Sequence, residues 1–319
     1  NAFYAVGLRS EKLYYRPKKE REPIDFLSKK KVFFTISLVL IAAGVITIGI
    51  NEGRGKGAFA YSLEFQGGTS TNVTFDKDYS IDEIDKEIVP VVEKATGDNN
   101  VQTQKVAGTN QVIIKTVTLD LDKREALNKA MVDNFGVDES KITAENISST
   151  VSNEMRRDAV IAVVIATICM LLYIWFRFKD IRFATSAVLA LLHDVLVVVG
   201  FYAIARISVG NTFIACILTI VGYSINATIV IFDRIREEMR GKTKSSDVAV
   251  VVNKSITQTL TRSIYTSLTT FIMLLSLFIF GVTSVREFAL PLMVGVVCGA
   301  YSSVCITGAL WYVMKRFKK

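Results

Sequence analysis

The sequence predicts a polytopic α-helical membrane protein with six transmembrane helices and one small α+β, ferredoxin-like domain outside the cytoplasm. Three observations predict it. Six apolar runs reach the roughly 20 residues a helix needs to cross a bilayer. A single long polar block, reading strand, helix, strand, strand, helix, strand, lies between the first run and the second. Lysine and arginine gather beside alternate ends of the runs, the pattern that sets membrane orientation.

The first run, Val32–Ile50, follows a basic segment covering residues 1–31, and no cleavable signal peptide precedes it, so this run directs insertion. The polar block 51–157 comes next, and the remaining runs, Ala159–Trp175, Phe183–Ala205, Thr212–Phe232, Ser263–Phe280 and Phe288–Met314, make a five-helix bundle over 158–314 with a basic tail at 315–319. Pro291 predicts a kink in the last run that neighbouring helices can accommodate. Arg9 to Lys31, Arg177/Lys179/Arg182, Arg234 to Lys254 and Lys315 to Lys319 fall on one side, while the short loops opposite hold only Arg206 and Arg286. Both termini are therefore expected in the cytoplasm, with 51–157 outside. The net charge of +8 is explained by this topology, and no nucleic-acid partner is expected. Cys169, Cys216, Cys298 and Cys305 all lie in apolar runs, so no disulfide framework supports the outer domain and the four are expected to pack.

Within the polar block an alternating run from Thr69 to Phe75 reads as a strand. Ser80 with Glu83 forms a capping box for a helix ending before Gly97, a reading that Pro90 weakens. Asn100–Ala107 and Gln111–Val117 read as a hairpin around Gly108-Thr109-Asn110. Leu121–Phe135 reads as a helix closed by Gly136, and Lys141–Ser148 as a last strand. The domain gathers no histidine, cysteine or paired-carboxylate cluster, so neither a metal site nor catalysis is expected in it and the chain does not read as an enzyme.

The runs themselves carry polar residues that lipid cannot satisfy. Asp194, preceded by the chain's only histidine, His193, on a different helix face, falls near the bilayer midplane. Along the fourth run Thr219, Gly222/Tyr223, Asn226 and Asp233 share a stripe, and along the fifth Thr259, Arg262/Ser263, Thr266 and Thr269/Thr270 do the same. Two such stripes on nearby helices predict a hydrated seam, or, for the small residues, close helix packing. Asp233 reads as an interfacial charge, and Arg262 either joins the seam or snorkels to the headgroups. Between them, Val248, Val251, Val252 and Ile256 recur at helical spacing and predict an amphipathic helix lying on the membrane.

The segment GYSIN-x-TIVIFDRIRE, with Phe65-Gln66-Gly67-Gly68-Thr69, Leu192-His193-Asp194-Val195 and Gln258-Thr259-Leu260-Thr261-Arg262-Ser263 in the same order, resembles the SecF half of the SecD/SecF protein-export family from Ile24 to the C-terminus. Asn1–Tyr15 resembles the tail of the SecD half in fused SecDF chains, which implies a separated or truncated SecF portion. The resemblance implies an accessory subunit of the Sec translocase in the bacterial cytoplasmic membrane. Its partners would be SecD, the SecYEG translocon and unfolded precursors, its architecture that of the resistance-nodulation-division superfamily, and its energy source the proton-motive force, with sodium as the alternative ion and no bound cofactor. It also implies proton-relay candidates at Asp194, Asn226, Arg262 and Asp233, and at the position of Ala227, where the family carries Asp. Phe65, Gly67, Gly68 and Thr69 read alone as a turn needing positive φ; the resemblance implies a junction between helix and domain. Two rival readings are a small-molecule or lipid exporter of the same superfamily and a non-transporting translocon scaffold, to which Ala227 lends weight. No Walker-type phosphate loop is present, so the motor is not expected to be an ATPase.

Overall fold

A computed structural model of the chain describes residues 22–54, 57–99, 101–106, 108–240, 247–281 and 283–316. The N-terminal stretch that resembles a SecD tail, Asn100, Ala107, residues 241–246 of the 233–262 loop and the last three positions lie outside the described residues.

Among the described residues six helices are long and apolar enough to cross a membrane. They are α1 (Lys30–Gly53), α6 (Ser149–Phe178), α7 (Ile181–Ala205), α8 (Asn211–Arg240), α9 (Val248–Phe280) and a last one in two parts, α10 (Thr283–Tyr301) and α11 (Gly308–Arg316), joined by a π-helical stretch at Ser302–Thr307. α7, α8 and α10 form the buried centre of the bundle, while α1 and α6 leave most of their apolar side chains facing outward, as a lipid-facing helix should. α1 meets α7 where two glycines touch: a Cβ built on Gly44 would lie 2.6 Å from the Gly200 Cα. Small residues at such a crossing let backbones approach and gain dispersion contact that lipid cannot supply.

Outside the bundle, β2 (Gly68–Thr74), β3 (Gln102–Lys105), β4 (Gln111–Thr116) and β5 (Ile142–Ile147) form one antiparallel sheet in the order β3-β4-β2-β5. Helical segments α3 (Ile81–Glu83), α4 (Val89–Thr96) and α5 (Leu121–Phe135) cover one face, with Val73, Phe75, Ile84, Ile88, Val92, Ile114, Leu127 and Met131 buried between. This is the ferredoxin-like order that the turn and strand patterns predict. The Ser80–Glu83 capping box forms with both reciprocal hydrogen bonds, and Gly97 and Gly136 take left-handed caps at φ 72° and 64°. Pro90 does not break its helix. A π-helical turn, Ile84–Ile88, precedes it, and the widened turn accommodates a proline that lacks an N–H and would crowd the carbonyl four residues back.

The structure departs from the sequence reading in three places. Val248–Ser263 is not a separate helix on the membrane surface: α9 runs unbroken from Val248 to Phe280, Val251 is buried, and Val252 and Ile256 are buried in one cluster with Ile231, Phe232, Ile235 and Trp311. The apolar face that an interfacial helix would give to lipid is given to protein. The last run is interrupted at Ser302–Thr307, beyond Pro291, which sits inside α10. A short parallel pair, β1 (Ala60–Tyr61) with β6 (Ser208–Val209), ties the start of the outer domain to the α7–α8 connection, a pairing across some 150 residues that no local pattern announces.

Candidate functional site

Asp194 is wholly buried and stands at the meeting point of three helices. Ser224 of α8 donates to its Oδ2 at 2.5 Å and Ser302 of the π stretch donates to the same oxygen at 2.7 Å. Its Oδ1 accepts from the Cys298 thiol of α10 at 3.3 Å and lies 3.0 Å from His193 Nδ1. Four contacts fill the lone-pair sites of a carboxylate, which is how such a group is tolerated away from water. The π stretch makes this possible: the Thr307 hydroxyl donates to the Ser302 carbonyl, five residues back, at 3.0 Å. The widened turn carries Ser302 and Ser303 fully inside, where the Ser303 hydroxyl pairs with that of Thr228 at 3.1 Å.

The sequence places His193 on another face from Asp194, but its ring folds back onto the carboxylate, with Nε2 buried and unpartnered. Cys298, read as a packing residue, contributes a thiol to the same hub. His193, Asp194 and Cys298 are the one group among the described residues whose ligand atoms, all within 4.8 Å, could hold a metal ion. Ser302 and Cys298 were missed by sequence reasoning, although polar residues in the last apolar run were the available signal.

The second polar constellation lies between α8 and α9. Tyr223, Asn226, Ala227 and Val230 of α8 and Arg262, Ser263, Thr266 and Ser267 of α9 line a small cavity of about 40 Å³. Asn226, Ala227 and Arg262 are thus brought together, with Tyr223, Ser263 and Thr266 of the two stripes, whereas Thr219, Gly222, Thr259, Thr269 and Thr270 do not line the cavity. The hydroxyls of Thr219, Thr259, Thr266, Thr269 and Thr270 donate to carbonyls three or four residues back on their own helices, and Gly222 faces open space. Asp233 lies apart, paired with Arg177 at 3.1 Å. Asp194 belongs to the α7–α8–α10 hub and does not line this cavity.

The Phe65–Thr69 motif is both a turn and a junction. Phe65, 5% exposed in the short helix α2 (Leu63–Gln66), inserts into the membrane-bundle core with Leu191, Tyr202, Ile217 and Leu292. Gly67 and Gly68 follow at φ 73° and 127°, conformations that favour glycine, and Thr69 opens β2. The Thr69 hydroxyl accepts from Leu119 N at 2.8 Å and bonds Asn146 at 2.9 Å, fixing the strand into the domain. Just upstream, Glu64 accepts from Asn211 N at 3.0 Å and so caps α8 from outside. On the other side of the domain, Lys115 reaches Gln104 at 3.2 Å and Gln104 reaches Glu287 at 2.9 Å, above a polar cavity of about 340 Å³ beneath edge strand β3. Burial pushes the Lys115 ammonium below its ordinary pKa.

Six apolar helices, buried polar side chains at their crossings and one small outer domain keyed into the bundle by a glycine junction define a polytopic membrane protein of the transport type. Residues 127–317 match the family described as protein export membrane protein SecD/SecF, C-terminal, and the chain belongs to that family. The protein translocase subunit SecF of Petrotoga mobilis is 36% identical over 303 residues, covering 93% of this chain and 98% of its own length, and that of Sebaldella termitidis is 37% identical over 296 residues, covering 93% of each. The SecDF of Bacillus subtilis is 34% identical over 91% of this chain and 38% of its own. Among solved structures, SecDF, a translocon-associated membrane protein from Thermus thermophilus, superposes with a TM-score of 0.82 at 29% identity, covering 99% of this chain and 41% of that one. A SecDF in a super-membrane-facing form superposes at 0.64 with 30% identity. The chain therefore spans about two fifths of the fused SecDF polypeptides and nearly the whole of the separate SecF subunits.

Proposed function

We propose that this chain is the SecF component of a protein-export motor, working with SecD beside the SecYEG translocon to draw unfolded precursors across the bacterial cytoplasmic membrane on the proton-motive force. It transforms no substrate chemically and needs no bound cofactor; protons, or sodium in their place, supply the energy. Membership of the family supports the transport role, and the fused relatives support SecD as partner. The distribution of Lys and Arg supports an orientation with both termini in the cytoplasm. Expected strands Asn100–Ala107 and Lys141–Ser148 correspond to β3 and β5, the two outer strands of the sheet, which supports gripping an extended precursor by backbone pairing.

The observation that carries the coupling step is that Ala227 and Arg262 line one cavity between α8 and α9. An alanine there cannot bind a proton, so the chain as written is impaired, and a carboxylate at the same position would have a guanidinium within reach. Gradient-dependent translocation of a precursor into vesicles containing SecD should rise when Ala227 is replaced by Asp and not when it is replaced by Asn. Equal export by all three forms would move the coupling to Asp194, which shares no wall with that cavity. A scaffold role is the second reading, favoured by Ala227 itself, and it requires that none of the three responds to the gradient.

A further inference from the structure

Three atoms of the α7–α8–α10 hub, Asp194 Oδ1, His193 Nδ1 and Cys298 Sγ, close a triangle with sides of 3.0, 3.3 and 3.9 Å. Its centre lies about 2 Å from all three, and zinc binds imidazole nitrogen, carboxylate oxygen and thiolate sulfur at about 2.0–2.3 Å. All three side chains are buried. The other carboxylate oxygen is held by Ser224 at 2.5 Å and Ser302 at 2.7 Å, the outer support that orients a metal-binding carboxylate. His193 Nε2 is buried without a partner, so the imidazole directs its polar contacts to the triangle alone, and a buried orphan of this kind calls for an explanation such as a bound ion. A neutral imidazole, a carboxylate and a thiolate carry two negative charges, which one divalent ion cancels, leaving a neutral hub inside an apolar bundle. Magnesium and calcium take six or more oxygen ligands and do not suit this set, whereas nitrogen and sulfur select zinc.

We infer that His193, Asp194 and Cys298 form a binding site for one zinc ion, coordinated through Nδ1, Oδ1 and Sγ, that clamps α7 to α10 at the centre of the bundle. On binding, the thiol proton is released, the imidazole hydrogen sits on the free Nε2, and lone pairs of Nδ1, Oδ1 and Sγ go to the ion, so no oxidant or reductant takes part. The ion is a clamp and supplies no energy. The inference concerns binding alone and stands whether or not the chain drives export.

The test uses the purified full chain with a histidine-free affinity tag, since His193 is the only histidine. The chain is produced in medium supplemented with zinc or cobalt, so that the ion is present while the bundle folds, and is then washed with a mild chelator. Elemental analysis should find one zinc per chain, and the cobalt form should show a thiolate-to-cobalt charge-transfer absorption. Zinc should also raise the midpoint of thermal unfolding. Cys298→Ser, which changes one atom, and His193→Gln should each lower metal retention at least about tenfold, and the first should abolish the absorption. Cys169→Ser, at an exposed thiol, should leave both unchanged. Cys298→Ala keeps the Asp194 contacts to Ser224 and Ser302, so it keeps the test decisive if the serine form fails to fold. Metal content equal to a buffer blank, an absorption that survives both Cys298 substitutions, or full retention in His193→Gln overturns the inference. Failure of the export reading leaves each of these readouts untouched.

Discussion

Replacing Asp194 tests whether the hub holds the bundle together. In Asp194→Ala the hydroxyls of Ser224 and Ser302 lose their acceptor, and His193 Nδ1 and the Cys298 thiol lose theirs. A buried polar group stripped of its partner costs about 1–3 kcal/mol. Ser302 has a fallback in the Gly299 carbonyl at 3.3 Å, and Ser224 can turn to its own helix, so only His193 and part of the serine cost remain in full. The expected destabilisation is about 2–4 kcal/mol, including the small void left behind. Asp194→Asn keeps the shape and one carbonyl oxygen, and the serine hydroxyls can reverse to accept from its amide, so about 1 kcal/mol is expected. Equilibrium unfolding of the full chain in mixed micelles, followed through the fluorescence of buried Trp311, measures both. A double-mutant cycle with Ser224→Ala isolates the shortest contact. Interhelical hydrogen bonds in membranes average about 0.6 kcal/mol and reach about 1.7, and the coupling should fall at the upper end because neither partner reaches water. Alanine and asparagine of equal effect, or costs that simply add, would refute the hub as a stabilising element.

Gly44→Leu should separate α1 from α7 and cost at least about 1–3 kcal/mol in the same unfolding assay, because its Cβ would lie 2.6 Å from the Gly200 Cα. Gly49→Ala on the same helix has nothing within 4 Å and should be neutral or slightly stabilising, so equal losses at both would contradict the crossing. In the outer domain the Lys77 ammonium, then the Ser80 backbone and hydroxyl, hold the Glu83 carboxyl down at about 2. Its contribution to the capped helix is therefore present above pH about 4.5 and lost as pH falls through about 2. Carboxyl titration by NMR should place its midpoint near that value and shift it upward in Lys77→Met; an ordinary midpoint in the unsubstituted chain would refute the pairing.

The sequence by itself determined the elements. Six apolar runs, the alternation of Thr69–Phe75 and Gln111–Val117, the Ser80–Glu83 box and the terminating glycines are all short-range patterns, and short-range patterns fix which way a segment of chain coils or extends. The strand order followed, since few topologies connect those elements without crossing. The polar residues of the fourth and fifth runs were also visible, and Asn226, Ala227 and Arg262 do share a cavity. What only the tertiary structure decided was which polar residues find one another. A hydroxyl on a membrane helix can bond to the carbonyl a turn back, as Thr219 and Thr266 do, or cross to another helix, as Ser224 and Ser302 do, and spacing along one helix cannot tell these apart. The choice depends on how each helix is rotated about its axis and on the π turn that swings Ser302 inward. The apolar face of Val252 and Ile256 was equally ambiguous, because lipid and protein interior are both apolar, and only the position of Trp311 and Phe232 gives that face a protein neighbour.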